Sequence, residues 1–114
     1  MSKIKVIYNL NGEIKNYMGI KNKNRITFKD ESVKSTLILK DNAIDLIREN
    51  DEYRLEINVG EKSSCIYFLK NYGKIPMNID KIYLQIKEGI VELKYKLNGE
   101  LYELKMNYEV IEWL

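Results

Sequence analysis

Histidine is absent from this chain, cysteine and proline occur once each, and no long apolar run interrupts its 114 residues. Each absence closes a class of chemistry. Without histidine there is no Ser-His-Asp or Cys-His catalysis and no imidazole-bound zinc or iron. A single cysteine, Cys65, makes neither an intramolecular disulfide nor a thiolate metal cluster, and a reducing cytoplasm is the expected location. The glycines stand apart, and none precedes a Lys-Ser or Lys-Thr pair at phosphate-loop spacing, which argues against nucleotide hydrolysis by that route. No stretch approaches the roughly eighteen apolar residues that cross a bilayer. Met1 to Leu10 is broken by Lys3, Lys5 and Asn9, unlike the apolar core of a signal peptide, and Ser2 stands where myristoylation requires glycine. The expectation is a soluble protein with no membrane partner, no cofactor and no metal.

What is present is enough for one folded unit, residues 1–114 forming a single domain. Hydrophobic residues make up 45% and charged residues 32%, a balance that supports a buried core and argues against disorder. The formal charge of +2 is too small to demand an anionic partner, although the distribution is uneven. Lys15, Lys21, Lys23, Arg25 and Lys29 fall in a stretch without acids, and Asn98 to Leu114 holds four Glu against one Lys. Much of this basicity has a bland source: 16 Lys, 16 Ile and 12 Asn beside 3 Arg look like the product of an A/T-rich coding sequence.

The dominant pattern is period two, which puts alternate side chains on opposite faces of a strand. Ile4, Val6, Tyr8 and Leu10 alternate with Lys3, Lys5, Ile7 and Asn9, and the run stops at Asn11-Gly12, a type I′ hairpin signal. The device recurs where Val91, Leu93, Tyr95 and Leu97 run into Asn98-Gly99 and the chain returns with Tyr102, Leu104, Met106, Tyr108 and Val110 on one face. Further strand segments are Arg25 to Lys29, Ser32 to Lys40, Ala43 to Arg48, Tyr53 to Val59, Ser64 to Lys70 and Lys74 to Lys87. Asp41 to Asn50 is also readable as a short capped helix, but its β-type neighbours favour strand. In Lys74 to Lys87 the apolar phase changes from Ile75, Met77 and Ile79 to Ile82, Leu84 and Ile86, which requires a bulge or bend near Asp80. Pro76 lacks a ladder donor and belongs at an edge, a strand start or a bulge. The fold class expected is all-β: an antiparallel up-and-down barrel of about eight strands, whose closure removes sticky edges.

Nothing assembles a catalytic centre. Asp30-Glu31 and Asp51-Glu52 are paired carboxylates at expected turns, where solvated acids are ordinary. Cys65 alternates with Tyr67 and Leu69 and reads as a small buried hydrophobe. Tyr8, Tyr53, Tyr67, Tyr95, Tyr102 and Tyr108 fall on the apolar phase of their strands. Core packing is their plainer role; lining a small cavity is the sharper one, since barrels of this size either fill their interior or hold one small molecule. Arg48 follows Ile44 and Leu46 at even spacing and is therefore a candidate inward charge at a barrel mouth, where it would seek a carboxylate from the protein or from a ligand.

Thr36-Leu37-Ile38-Leu39, Leu46-Ile47-Arg48, the Phe-Leu-Lys-Asn-Tyr-Gly run from Phe68 to Gly73, and Ile90 to Leu97 together resemble the YwiB-like family of small bacterial proteins, over roughly residues 3 to 112. The resemblance implies a calycin-type, lipocalin-like barrel and brings no established activity, catalytic residue or ligand. Two departures stand out. Lys70-Asn71 occupies the place of the family's Thr-Pro, and the Gly-x-Trp signature of true lipocalins is missing near the amino terminus, with Trp113 at the opposite end.

The leading functional expectation is a non-enzymatic barrel that binds a small, partly apolar molecule, with Arg48, Tyr67, Tyr72, Tyr95 and Tyr108 as candidate ligand contacts. The alternative is a module that meets nucleic acid or protein through its outer surface, using the acid-free basic stretch; such binding would weaken steeply with salt.

Overall fold

The computed structural model describes all 114 residues. Eleven antiparallel strands, and no helix, follow one another as β1 (Ser2–Leu10), β2 (Glu13–Asn22), β3 (Arg25–Asp30), β4 (Val33–Leu39), β5 (Ile44–Glu49), β6 (Tyr53–Val59), β7 (Ser64–Leu69), β8 (Gly73–Met77), β9 (Ile79–Lys87), β10 (Ile90–Leu97) and β11 (Glu100–Trp113). They form one sheet in the order β8-β7-β6-β5-β4-β3-β2-β1-β11-β10-β9. The all-β, antiparallel expectation holds. The count does not: there are eleven strands rather than about eight, because nearly every alternating segment forms a strand of its own and Lys74 to Lys87 divides in two.

The two strands at the ends of that order, β8 and β9, are joined through Asn78 alone. One extended segment therefore supplies both edges, pairing with β7 along its first half and with β10 along its second, and this curls the sheet into a nearly closed barrel. Asn98, in the β10–β11 turn, fastens the junction. Its backbone N–H donates to the Asn78 carbonyl at 2.8 Å, and its Oδ1 accepts from the Asn78 N–H at 3.0 Å. Asn11 repeats the device in the β1–β2 turn, exchanging bonds of 2.8 Å with the backbone of Glu103 through its own N–H and Oδ1.

Both hairpin signals form the expected turns. Asn11 and Gly12 have φ of 52° and 88°, and Asn98 and Gly99 have 50° and 83°, positive at both central positions as type I′ demands. The segment expected from Ala43 to Arg48 is strand rather than helix, forming β5 over Ile44–Glu49. Pro76 lies in the edge strand β8, opposite Ile66, where a missing ladder donor is tolerated. The phase change is a bulge at Ile82. Lys94 pairs with Tyr83 and Tyr95 with Lys81, which leaves Ile82 without a partner and half exposed while Leu84 and Ile86 turn inward.

A second bulge, at Ile111 opposite Lys3/Ile4, shifts the phase at the end of β11, where Val110 and Trp113 are exposed. The core fills the barrel with Ile4, Val6, Ile26, Phe28, Leu37, Ile44, Leu93 and Met106 among its buried side chains, and Cys65 is buried there as a free thiol. Gly19 sits where Ile4 and Phe28 meet: a Cβ there would lie 2.7 Å from the Thr27 carbonyl oxygen.

Candidate functional site

Period-two alternation carries Arg48 to the interior. Ile44 and Leu46 are buried on the inner face of β5, and Arg48, two residues on, points the same way at one end of the barrel between Ser35 of β4 and Leu55 of β6. The same end receives Tyr8 and Leu10 from β1, Tyr17 from β2, Phe28 from β3, and Tyr95 and Tyr102 from β10 and β11. The aromatic rings form two stacks. Tyr17 lies 4.8 Å from Phe28, nearly parallel, with Tyr8 tilted against Phe28 at 5.7 Å; Tyr95 and Tyr102 stack at 5.3 Å.

Two cavities open between these groups. The inner one, about 130 Å³, has ten hydrophobic lining residues out of thirteen, including Leu37, Leu46, Leu55 and Ile57. Arg48 is the sole charged residue lining it. The outer one, about 180 Å³, adds Glu13, Lys15, Tyr17 and Asp30. Tyr8, Leu10, Ser35 and Arg48 line both, so the guanidinium stands at the partition between an apolar chamber and a polar vestibule.

The electrostatics of that partition are unbalanced. Arg48 Nε is buried without a hydrogen-bond partner, and no carboxylate lies within ion-pair distance of the guanidinium. Asp30, a carboxylate of the vestibule, is held by Lys15 at 3.7 Å. Burial raises the Tyr8 and Tyr95 hydroxyls above their ordinary range, with Arg48 opposing in both cases. Tyr17 is pushed up to about 12, by burial first and then by the neighbouring Asp30 carboxylate. All three are therefore neutral donors at physiological pH.

Of the ligand contacts expected from sequence, the structure brings Arg48 and Tyr95 together at the inner cavity. Tyr67 lies at the same end but tilts against Tyr53 at 5.6 Å and does not line the cavity. Tyr72 is 84% exposed in the β7–β8 turn, and Tyr108, opposite Val6, is six residues along β11 from Tyr102, about 20 Å away at strand rise. Tyr8, Tyr17, Ser35 and Tyr102 also line these cavities, although the sequence did not single them out as ligand contacts. The phase of Tyr8 and Tyr102 was visible in the sequence; which end of the barrel each tyrosine reaches was not.

The basic stretch does not gather into one patch. Lys15 faces the vestibule with Glu13 and Asp30 beside it, whereas Lys21, Lys23 and Arg25 cluster about the β2–β3 turn at the other end, where the Lys21 ammonium donates to the Lys23 carbonyl. A wider groove of about 750 Å³ runs over the outer face of β9, β10 and β11. Its charges answer one another, Lys94 with Glu103 at 3.5 Å and Lys105 with Glu92 at 3.9 Å. No cluster of acidic or thiol side chains is arranged to hold a metal.

Fold and site together define a small antiparallel barrel with a polar-rimmed chamber at one mouth. The barrel is similar to the crystal structure of the ywiB protein from Bacillus subtilis, with a TM-score of 0.59 over 96% of this chain and 89% of that one, at 13% identity. The overall fold is therefore YwiB-like. No protein-family model matches the chain, and a search of the curated proteins finds no match.

Proposed function

We propose that the protein is a non-enzymatic, calycin-like binding barrel of the reducing cytoplasm, which takes one small, partly apolar molecule into the chamber at its mouth. The observation that carries this reading is the inner cavity itself: a barrel built only for stability would fill the space between Leu37, Leu46, Leu55 and Ile57 with side chains, as it does around Ile4 and Met106. Apolar walls with a few convergent polar groups, here Arg48, Tyr8, Tyr95 and Ser35, are the usual makeup of a small-molecule site. The bound molecule would stack on the Tyr95–Tyr102 pair and displace water poorly held by leucines. The free thiol of Cys65, buried in the wall of the barrel, suits a reducing compartment.

A fragment library of small amphiphiles, screened by protein NMR, tests it. Binders are expected to shift the methyl resonances of Leu37, Leu46 and Leu55 and the ring resonances of Tyr8 and Tyr95; a screen in which every binder shifts only outer-face residues such as Glu92 and Lys105 would overturn the proposal.

A further inference from the structure

We infer that the occupant of this chamber is a small carboxylic acid, bound as its monoanion with the carboxylate forked on Arg48 and a body no larger than a single ring in the apolar pocket. The inference rests on the binding-barrel reading and specifies its ligand. Three observations carry it.

The first is the orphaned Nε of Arg48. A buried donor without an acceptor is costly, and native structures tolerate one mainly where something else completes it. The Nε–H and one terminal N–H of a guanidinium form the side-on fork whose spacing matches the two oxygens of a carboxylate. Since no protein carboxylate is within ion-pair distance, and Asp30 is already held by Lys15, the matching acceptor has to arrive from outside.

The second is the charge count. Arg48 alone among the lining residues of the inner cavity is charged, and the tyrosines beside it are neutral donors. One fixed cation balances one negative charge. A phosphate dianion would need a second, and the other cation near the mouth, Lys15, is committed to Glu13 at 3.8 Å and Asp30 at 3.7 Å.

The third is size. An apolar cavity of about 150 Å³ accepts benzene, and the inner chamber of about 130 Å³ is lined mainly by apolar side chains, with Arg48, Ser35, Thr36 and the tyrosine hydroxyls as its polar groups. A ring or short branched chain fits; a long acyl chain does not. Ser35 and Tyr8, which line both cavities, are placed to donate to whichever carboxylate oxygen faces the vestibule.

Isothermal titration of the intact protein with benzoate, benzamide and phenyl phosphate near neutral pH tests the class of ligand. Benzamide keeps the shape and loses the charge; phenyl phosphate keeps the ring and doubles the charge. Benzoate is expected to bind at least about tenfold more tightly than either, the worth of one charge-assisted fork. Arg48→Gln should remove that preference while leaving benzamide within about twofold, and Arg48→Lys, a charge without a fork, should restore only part of it. The wild-type comparison needs no variant, so a misfolded Arg48→Gln leaves the test intact. Equal binding of benzoate and benzamide, a preference for phenyl phosphate, or no binding of benzoate at millimolar concentration would each overturn the carboxylate assignment. Shifts of the Leu37 and Leu46 methyls by neutral probes separate that failure from failure of the barrel as a binding site.

Discussion

Arg48 carries an expectation about stability as well as binding. A guanidinium that served the fold would cost stability when removed; one with an orphaned buried donor should not. Arg48→Met replaces the stem with a chain of similar length and removes the unsatisfied Nε–H, whose burial costs about 1–3 kcal/mol. The variant is expected to match or exceed the wild type by up to about 1 kcal/mol in urea unfolding, and a loss of more than that would assign Arg48 a structural role. The mouth tyrosines set a pH dependence whose sign follows from their raised hydroxyls. Below pH 10, the ordinary tyrosine value, the hydroxyls are protonated in both folded and unfolded chains and the stability from burying them neutral is intact. Between that value and the raised one, about 12 for Tyr17, the unfolded chain releases protons the fold retains, so stability falls as pH rises through this window. Denaturant midpoints should be flat across neutral pH and drop above pH 10, with the tyrosinate absorbance of the mouth tyrosines held back until unfolding.

At the scale of single elements the turns do more than reverse the chain. Asn98 adopts the positive φ that a type I′ turn requires and also clasps both backbone groups of Asn78, where the sheet meets its own other edge. Asn98→Gly separates these duties, keeping the conformation and removing the Oδ1 acceptor. A loss of about 1 kcal/mol is expected, with faster hydrogen exchange at the Asn78 amide and unchanged exchange at the Asn11 turn; equal acceleration at both turns would show a loss of general stability instead of a local clasp. Gly19 is a matter of contact, not conformation. Its substitution by alanine drives a methyl toward the Thr27 carbonyl at 2.7 Å, so the β2–β3 pairing must shift, and Gly19→Ala should lose about 1–3 kcal/mol by thermal or denaturant unfolding. Gly12, with open space around its missing Cβ, should lose less on the same substitution, through backbone strain alone.

For the molecule as a whole, closure through Asn78 puts all eleven strands around one core, which should unfold as a unit. Leu93 is buried on β10 between Leu84 of β9 and Leu104 of β11, next to the seam. Leu93→Ala is expected to cost about 2–5 kcal/mol, and circular dichroism and tyrosine fluorescence should report one shared denaturation midpoint; separate midpoints would mean that the β9–β11 side can detach.

Much of this architecture was legible in the chain because strand alternation and turn chemistry are local. Asn11-Gly12 and Asn98-Gly99 announce their turns through the φ that few residues accept, and Ile4, Val6, Leu93 and Met106 announce the core by their spacing. That same locality placed Arg48 on an inner face. What spacing does not carry is distance around the barrel. The bulge expected near Asp80 lies at Ile82, but that one bent segment serves as both edges depends on pairing between strands remote in sequence. Whether Arg48 would meet a protein carboxylate, and whether Tyr95 or Tyr108 would stand beside it, likewise depended on which strand ends converge. Each side chain's face follows from backbone geometry within a few residues; its neighbours follow from long-range register and curvature, and on those rests the one unanswered charge in an apolar chamber.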